Sequence, residues 1–128
     1  MSSEADVERI HEINAAVAAR DVAAIRNAMH EDVVWEHNLG VGSPEDGVYR
    51  GRESVVALLE RILEPWEHMR LEERDLHDLG EGRYLVKGDM YAKHATSAVE
   101  IAVPYEQRLE VRDGLLVKGE MSTGEVAL

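Results

Sequence analysis

Val99-Glu-Ile-Ala-Val-Pro-Tyr-Glu-Gln-Arg-Leu-Glu-Val111 is the stretch that decides the fold. Val99, Ile101, Val103, Tyr105, Gln107, Leu109 and Val111 fall on one side of it, and Glu100, Glu106, Arg108 and Glu110 on the other. A period of two marks a strand with one covered and one wet face. Arg112-Asp113-Gly114 reads as a tight turn, and the residues from 115 to 123 as a further strand. Working back, residues 84–93 and 69–79 read as two more strands, separated by Gly80-Glu81-Gly82. His94-Ala-Thr-Ser97 supplies the turn into the deciding stretch. Long strands joined by short turns imply an antiparallel meander.

The first half of the chain has the other period. Ser3 with Asp6 three residues on resembles a capping box, and Val7, Ile10, Ile13 (or Asn14) and Val17 follow at helical spacing. Asp21 reads as a second N-cap, ahead of Val22, Ile25 and Met29. Residues 32–37, with Trp35, read as a short strand, and residues 38–51, rich in glycine, as a loop. Residues 52–63 form a third helix, which Pro65 ends because the residue before a proline is steered away from helix. The expected fold is α+β: a single domain over 1–128, with three N-terminal helices on a strongly curved antiparallel sheet that encloses a pocket.

Composition narrows the function. The 128 residues carry 14 Lys and Arg against 26 Asp and Glu, a net charge of −12. Nucleic acid and anionic membrane surfaces, which need a basic footprint, are therefore poor partners. Without cysteine there is no thiolate metal site and no thiol nucleophile. The six histidines show no metal-ligand spacing, and no glycine-rich phosphate loop is present, so neither metal nor cofactor is expected. The polar, acidic start has no signal-peptide character, and no apolar run reaches the roughly 20 residues of a membrane span, so the expected location is cytoplasmic. The chain has no Phe, and its six aromatics are Trp35, Trp66, Tyr49, Tyr84, Tyr91 and Tyr105.

Several short runs, in order along the chain, resemble the SnoaL-like branch of the nuclear transport factor 2-like superfamily. They are Asp21-Val-Ala-Ala-Ile25, His30-Glu-Asp-Val-Val-Trp-Glu-His37, Gly47-Val-Tyr-Arg-Gly-Arg-Glu-Ser54, Val111-Arg-Asp-Gly-Leu-Leu116 and Glu125-Val-Ala-Leu128. The resemblance implies a cone-shaped fold, shared by ketosteroid isomerases, and a homodimer formed through the sheet. Such members include isomerases, cyclases, dehydratases, epoxide hydrolases and binding domains without catalysis, so fold alone does not name a reaction.

Three sets of residues are candidates for chemistry. His37 ends its strand where the isomerases resembled here carry a carboxylate base, and imidazole titrates near neutral pH. Gln107 stands on the apolar face of the deciding stretch, where those isomerases place an acid of the oxyanion hole. Ile13 occupies the place of their oxyanion tyrosine, which disfavours a steroid-isomerase mechanism of that type. Lys87-Gly-Asp89 is loosely similar to the Arg-x-Asp of limonene epoxide hydrolases, although Met121 stands where those enzymes have a second Asp. In a competing register Tyr84, Val86, Met90 and Ala92 face inward, and Lys87 and Asp89 face solvent. Trp35, Trp66, Met69, Met90, Tyr91 and Tyr105 are the expected walls of a site for a small apolar or aromatic molecule. The expected activity is cofactor-independent isomerisation, cyclisation or dehydration, with His37 as base. The alternative is a binding or dimerisation module without catalysis.

Overall fold

A computed structural model describes residues 4–38 and 44–123. The element order is α1 (Glu4–Ala19), α2 (Val22–Asn27), β1 (Met29–Asn38), β2 (Gly47–Arg50), α3 (Arg52–Leu63), β3 (Trp66–Gly80), β4 (Arg83–His94), β5 (Glu100–Arg112) and β6 (Leu115–Thr123). α1 buries Ile10, Asn14, Ala16 and Val17, and of the expected stripe Val7 and Ile13 are half-buried against the core. Asp21 caps α2, its carboxylate accepting from the Ala24 amide at 3.1 Å. The box expected at Ser3 lies outside the described residues. α3 covers the stretch its periodicity marks out and buries Val55, Val56, Leu58 and Leu63.

The six strands form one sheet in the order β2-β1-β6-β5-β4-β3. From β3 to β6 it is an antiparallel meander. The expectation of an antiparallel sheet throughout is corrected at one seam, because β1 pairs with β6 in parallel. Short turns force successive strands to run opposite ways, but β1 and β6 are joined by most of the chain and are free of that constraint. The helices are also not all N-terminal to the sheet, since β1 and β2 precede α3. β2 lies within the stretch read as a loop and pairs antiparallel with β1, Trp35 opposite Tyr49 and His37 opposite Gly47. Its four residues are too few to show a period of their own.

Register decides which residues face the helices. Across β1, β6, β5 and β4 one row runs His37, Met121, Gln107, Val86, and a neighbouring one Trp35, Gly119, Leu109, Tyr84. Val103, Tyr105, Gln107, Leu109 and Val111 are all buried, as the alternation of β5 requires. β4 buries Tyr84, Val86, Gly88 and Ala92, which settles its two possible registers in favour of the apolar set. Tyr84 is 1% exposed, and its hydroxyl donates to Asp6 Oδ2 at 2.8 Å, tying β4 to α1. Burying one such side chain stabilises the fold by about 2 kcal/mol. Two glycines allow close approach. A Cβ on Gly119 would run into the Trp35 ring, and one on Gly88 would strike the Glu72 carbonyl and crowd the Tyr105 hydroxyl.

Candidate functional site

Between the helices and this face of the sheet lies a cavity of about 400 Å³. α1 contributes Ile13, Asn14 and Val17 to its wall, and α3 contributes Val55, Leu58, Leu59 and Ile62. The sheet contributes Trp35, His37, Leu71, Met90, Gln107 and Met121. Among the described residues the lining is apolar apart from Asn14, His37, Glu45, Arg61 and Gln107. Few polar groups on an apolar wall are the common form of a small-molecule site.

Of the residues chosen from sequence, His37, Gln107, Trp35, Trp66, Met69 and Met90 line this one cavity. Tyr105 is on the same face of the sheet, 1% exposed, but is not among the residues that line the cavity. Asp89 and Tyr91 are elsewhere, and their expected roles are corrected. They alternate with the inward residues of β4 and so emerge on its outer face. There Asp89 pairs with Arg74 at 3.0 Å, and the Arg70 guanidinium lies 4.6 Å from the centre of the Tyr91 ring. Ile13 and Met121 also line the cavity.

His37 is 5% exposed. The indole Nε1–H of Trp35 donates to His37 Nδ1 across 3.3 Å. A nitrogen that accepts carries no hydrogen, so the neutral ring holds its proton on Nε2. Burial holds this histidine below its ordinary pKa of 6.5, while the charges of Asp46 and Glu45 pull the other way. Neutral imidazole is thus its favoured form. Gln107 is 4% exposed, and its side-chain oxygen takes no hydrogen bond from the described residues. The Tyr105 hydroxyl is likewise buried with no hydrogen-bond partner among the described residues. Burial, with the charges of Glu73 and Asp89 adding and Arg74 opposing, pushes its pKa up to about 12, so it is a neutral phenol. A buried polar group left unpaired costs about 1 to 3 kcal/mol.

Sequence reasoning missed a second polar arrangement. Asn14 is 6% exposed, and its Nδ2 donates to Glu73 Oε1 at 2.7 Å. His11 Nε2 lies 2.7 Å from the other oxygen of Glu73. Asn14 competed with Ile13 for the same apolar stripe, and a polar residue at a core position of a helix was the available signal. Glu73 gave none, being one of several acids in β3. Among the described residues no His, Asp or Glu cluster could hold a metal ion, and no helix is long and apolar enough to cross a membrane.

Comparison with known proteins agrees with this architecture. Residues 7–119 match the family model of the SnoaL-like domain. No curated protein sequence matches the chain. TerC, crystallised with polyporic acid, is 24% identical with a TM-score of 0.82, over 94% of this chain and 92% of that one. An NTF2-like protein of unknown function from Burkholderia pseudomallei K96243 is 22% identical with a TM-score of 0.82, over 95% and 92%. IdmH of Streptomyces antibioticus, a candidate polyketide cyclase, is 16% identical with a TM-score of 0.79, over 92% and 91%. At such identities the likeness is one of fold.

Proposed function

Since this chain belongs to the SnoaL-like domain family, we propose that it binds a small, mostly apolar molecule in the cavity and holds one of that molecule's oxygens with His37 and Gln107. The observation that carries the reading is the row His37, Met121, Gln107, which sets two buried polar side chains on one apolar wall. Apolar walls supply affinity by excluding water, and the polar pair orients the guest. TerC has been crystallised with the small molecule polyporic acid, which supports a guest of this kind here.

A second reading makes the protein a cofactor-independent isomerase, cyclase or dehydratase. Such reactions pass through an enolate, and hydrogen-bond donors fixed beside its oxygen lower the barrier. The His37 Nε2–H and the Gln107 amide are two donors on this wall. Service of His37 as the base is less well supported, because a second proton would have to enter at Nδ1, where Trp35 already donates. The same proposal includes a homodimer through the outer face of β5, which carries Glu100, Glu106, Arg108 and Glu110.

The experiment is a titration of the protein with apolar aromatic carbonyl compounds, followed by Trp fluorescence and amide NMR shifts. Saturable binding is expected, with shifts at His37, Gln107 and Met90. His37→Phe and Gln107→Leu should each weaken it about tenfold, the equivalent of one hydrogen bond to a buried group. Affinity unchanged in both variants overturns the reading.

A further inference from the structure

The cavity has two buried polar residues whose orientation is set from behind by a neighbour. On β1, Trp35 donates to His37 Nδ1 at 3.3 Å. That leaves Nε2–H as the polar group of this ring, and a neutral imidazole bonded in this way is a donor. The His37 ring has no other hydrogen bond among the described residues. On α1, Asn14 Nδ2 donates to Glu73 Oε1 at 2.7 Å. A carboxylate only accepts, so it selects the NH2 end of the amide and turns the carbonyl end away. His11 occupies the second oxygen of Glu73 and holds the carboxylate in place. Both His37 and Asn14 line the cavity and are nine-tenths buried or more. Glu73 does not line it.

We infer that Trp35 and Glu73 are positioning residues that give the cavity a fixed polarity, a donor at His37 and an acceptor at Asn14. The molecule it takes therefore carries a hydrogen-bond acceptor, such as a carbonyl oxygen, at one end and a donor, such as a hydroxyl, at the other. The inference rests on the proposed binding function and adds its selectivity. A reversed guest would set donor against donor at His37 and acceptor against acceptor at Asn14, leaving buried groups unpaired at both ends.

The test uses four probes on one skeleton: naphthalene, 2-naphthol, 2-acetylnaphthalene and 6-acetyl-2-naphthol. The last carries a hydroxyl and a ketone at opposite ends. Dissociation constants come from fluorescence titration of the full chain. The hydroxyl is expected to tighten binding about tenfold over naphthalene, and the ketone, which meets both His37 and Gln107, by at least as much. His37→Phe should cut the advantage of the ketone about tenfold and keep that of the hydroxyl, and Asn14→Leu should remove the advantage of the hydroxyl and keep that of the ketone. Glu73→Met, which frees the Asn14 amide to turn, should erase the advantage of the hydroxyl while naphthalene binds as before. A merely structural Glu73 would weaken all four probes together, and that result overturns the assignment. Equal affinities for the four probes in the unaltered protein overturn the polarity but leave an apolar binding cavity standing. No binding by any probe at millimolar concentration removes the binding function as well.

Discussion

His37 and Gln107 flank Met121 in one row across β1, β6 and β5, all three side chains on the helix side of the sheet. Two strand spacings separate their Cα atoms by roughly 10 Å. A group placed over Met121 is then within reach of both. Met121→Phe puts a ring in that space. Binding of aromatic carbonyl compounds should weaken at least tenfold, while overpacking costs about 1 to 3 kcal/mol of stability. Fluorescence titration and urea unfolding measure the two effects separately.

Gly119→Ala tests the floor under Trp35. The added methyl meets the Trp35 ring and crowds Leu109. The indole must move, and its bond to His37 lengthens or breaks. The expected outcome is a loss of about 1 to 3 kcal/mol and a red-shifted Trp emission. The ring NMR resonances of His37 should move as well. A variant with unchanged emission and stability would contradict the packing.

Asp89 makes the opposite prediction. It pairs with Arg74 on the outer face, with the two side chains 30% and 55% exposed. Such a pair contributes at most about 1 kcal/mol. Asp89→Ala should leave ligand affinity unchanged and move the unfolding midpoint by less than that amount. A large loss of binding would place Asp89 in the site after all.

The buried, neutral His37 links stability to pH. Its pKa lies below 6.5 when folded, because burial outweighs the opposing charges of Asp46 and Glu45. The unfolded chain therefore takes up a proton in a range where the folded one does not. Stability is fully present above pH 6.5 and falls as the pH drops from there toward the lower folded value. His37→Gln should remove this component. The difference in urea midpoint between the two proteins, measured from pH 8 to pH 5, should be flat above 6.5 and slope below it.

The proposed homodimer would meet through charged groups on β5. Lys87 lies 3.6 Å from Glu106, and Arg112 lies 3.4 Å from Glu110 on the same face. An interface of exposed charges is screened by salt. Sedimentation should show dissociation as salt rises from low to molar concentration. A dimer indifferent to salt would use another, apolar surface.

The meander was legible because β5 keeps a period of two over its whole length, and that same pattern placed Gln107 inward. α3 was legible from its apolar stripe and Pro65. The parallel seam between β1 and β6 was not, because local periodicity says nothing of which distant strands meet. β4 offered two registers, and only the burial of Tyr84, Val86 and Ala92 together chooses between them. Asn14 and Glu73 are 59 residues apart, so their pairing leaves no mark on either neighbourhood.

The sheet order has a consequence for how the chain is made. β6 leaves the ribosome last of the six strands, yet it is the strand on which β1 docks. β3, β4 and β5 can pair as soon as they emerge, through short turns. β1 and β2, though synthesised first and able to pair with each other, cannot join that sheet until β6 is free. Closing so long a loop is slow. Pulse-labelled hydrogen exchange during refolding should protect β4 and β5 well before β1. The wall that bears His37 is then the last part of the cavity to form.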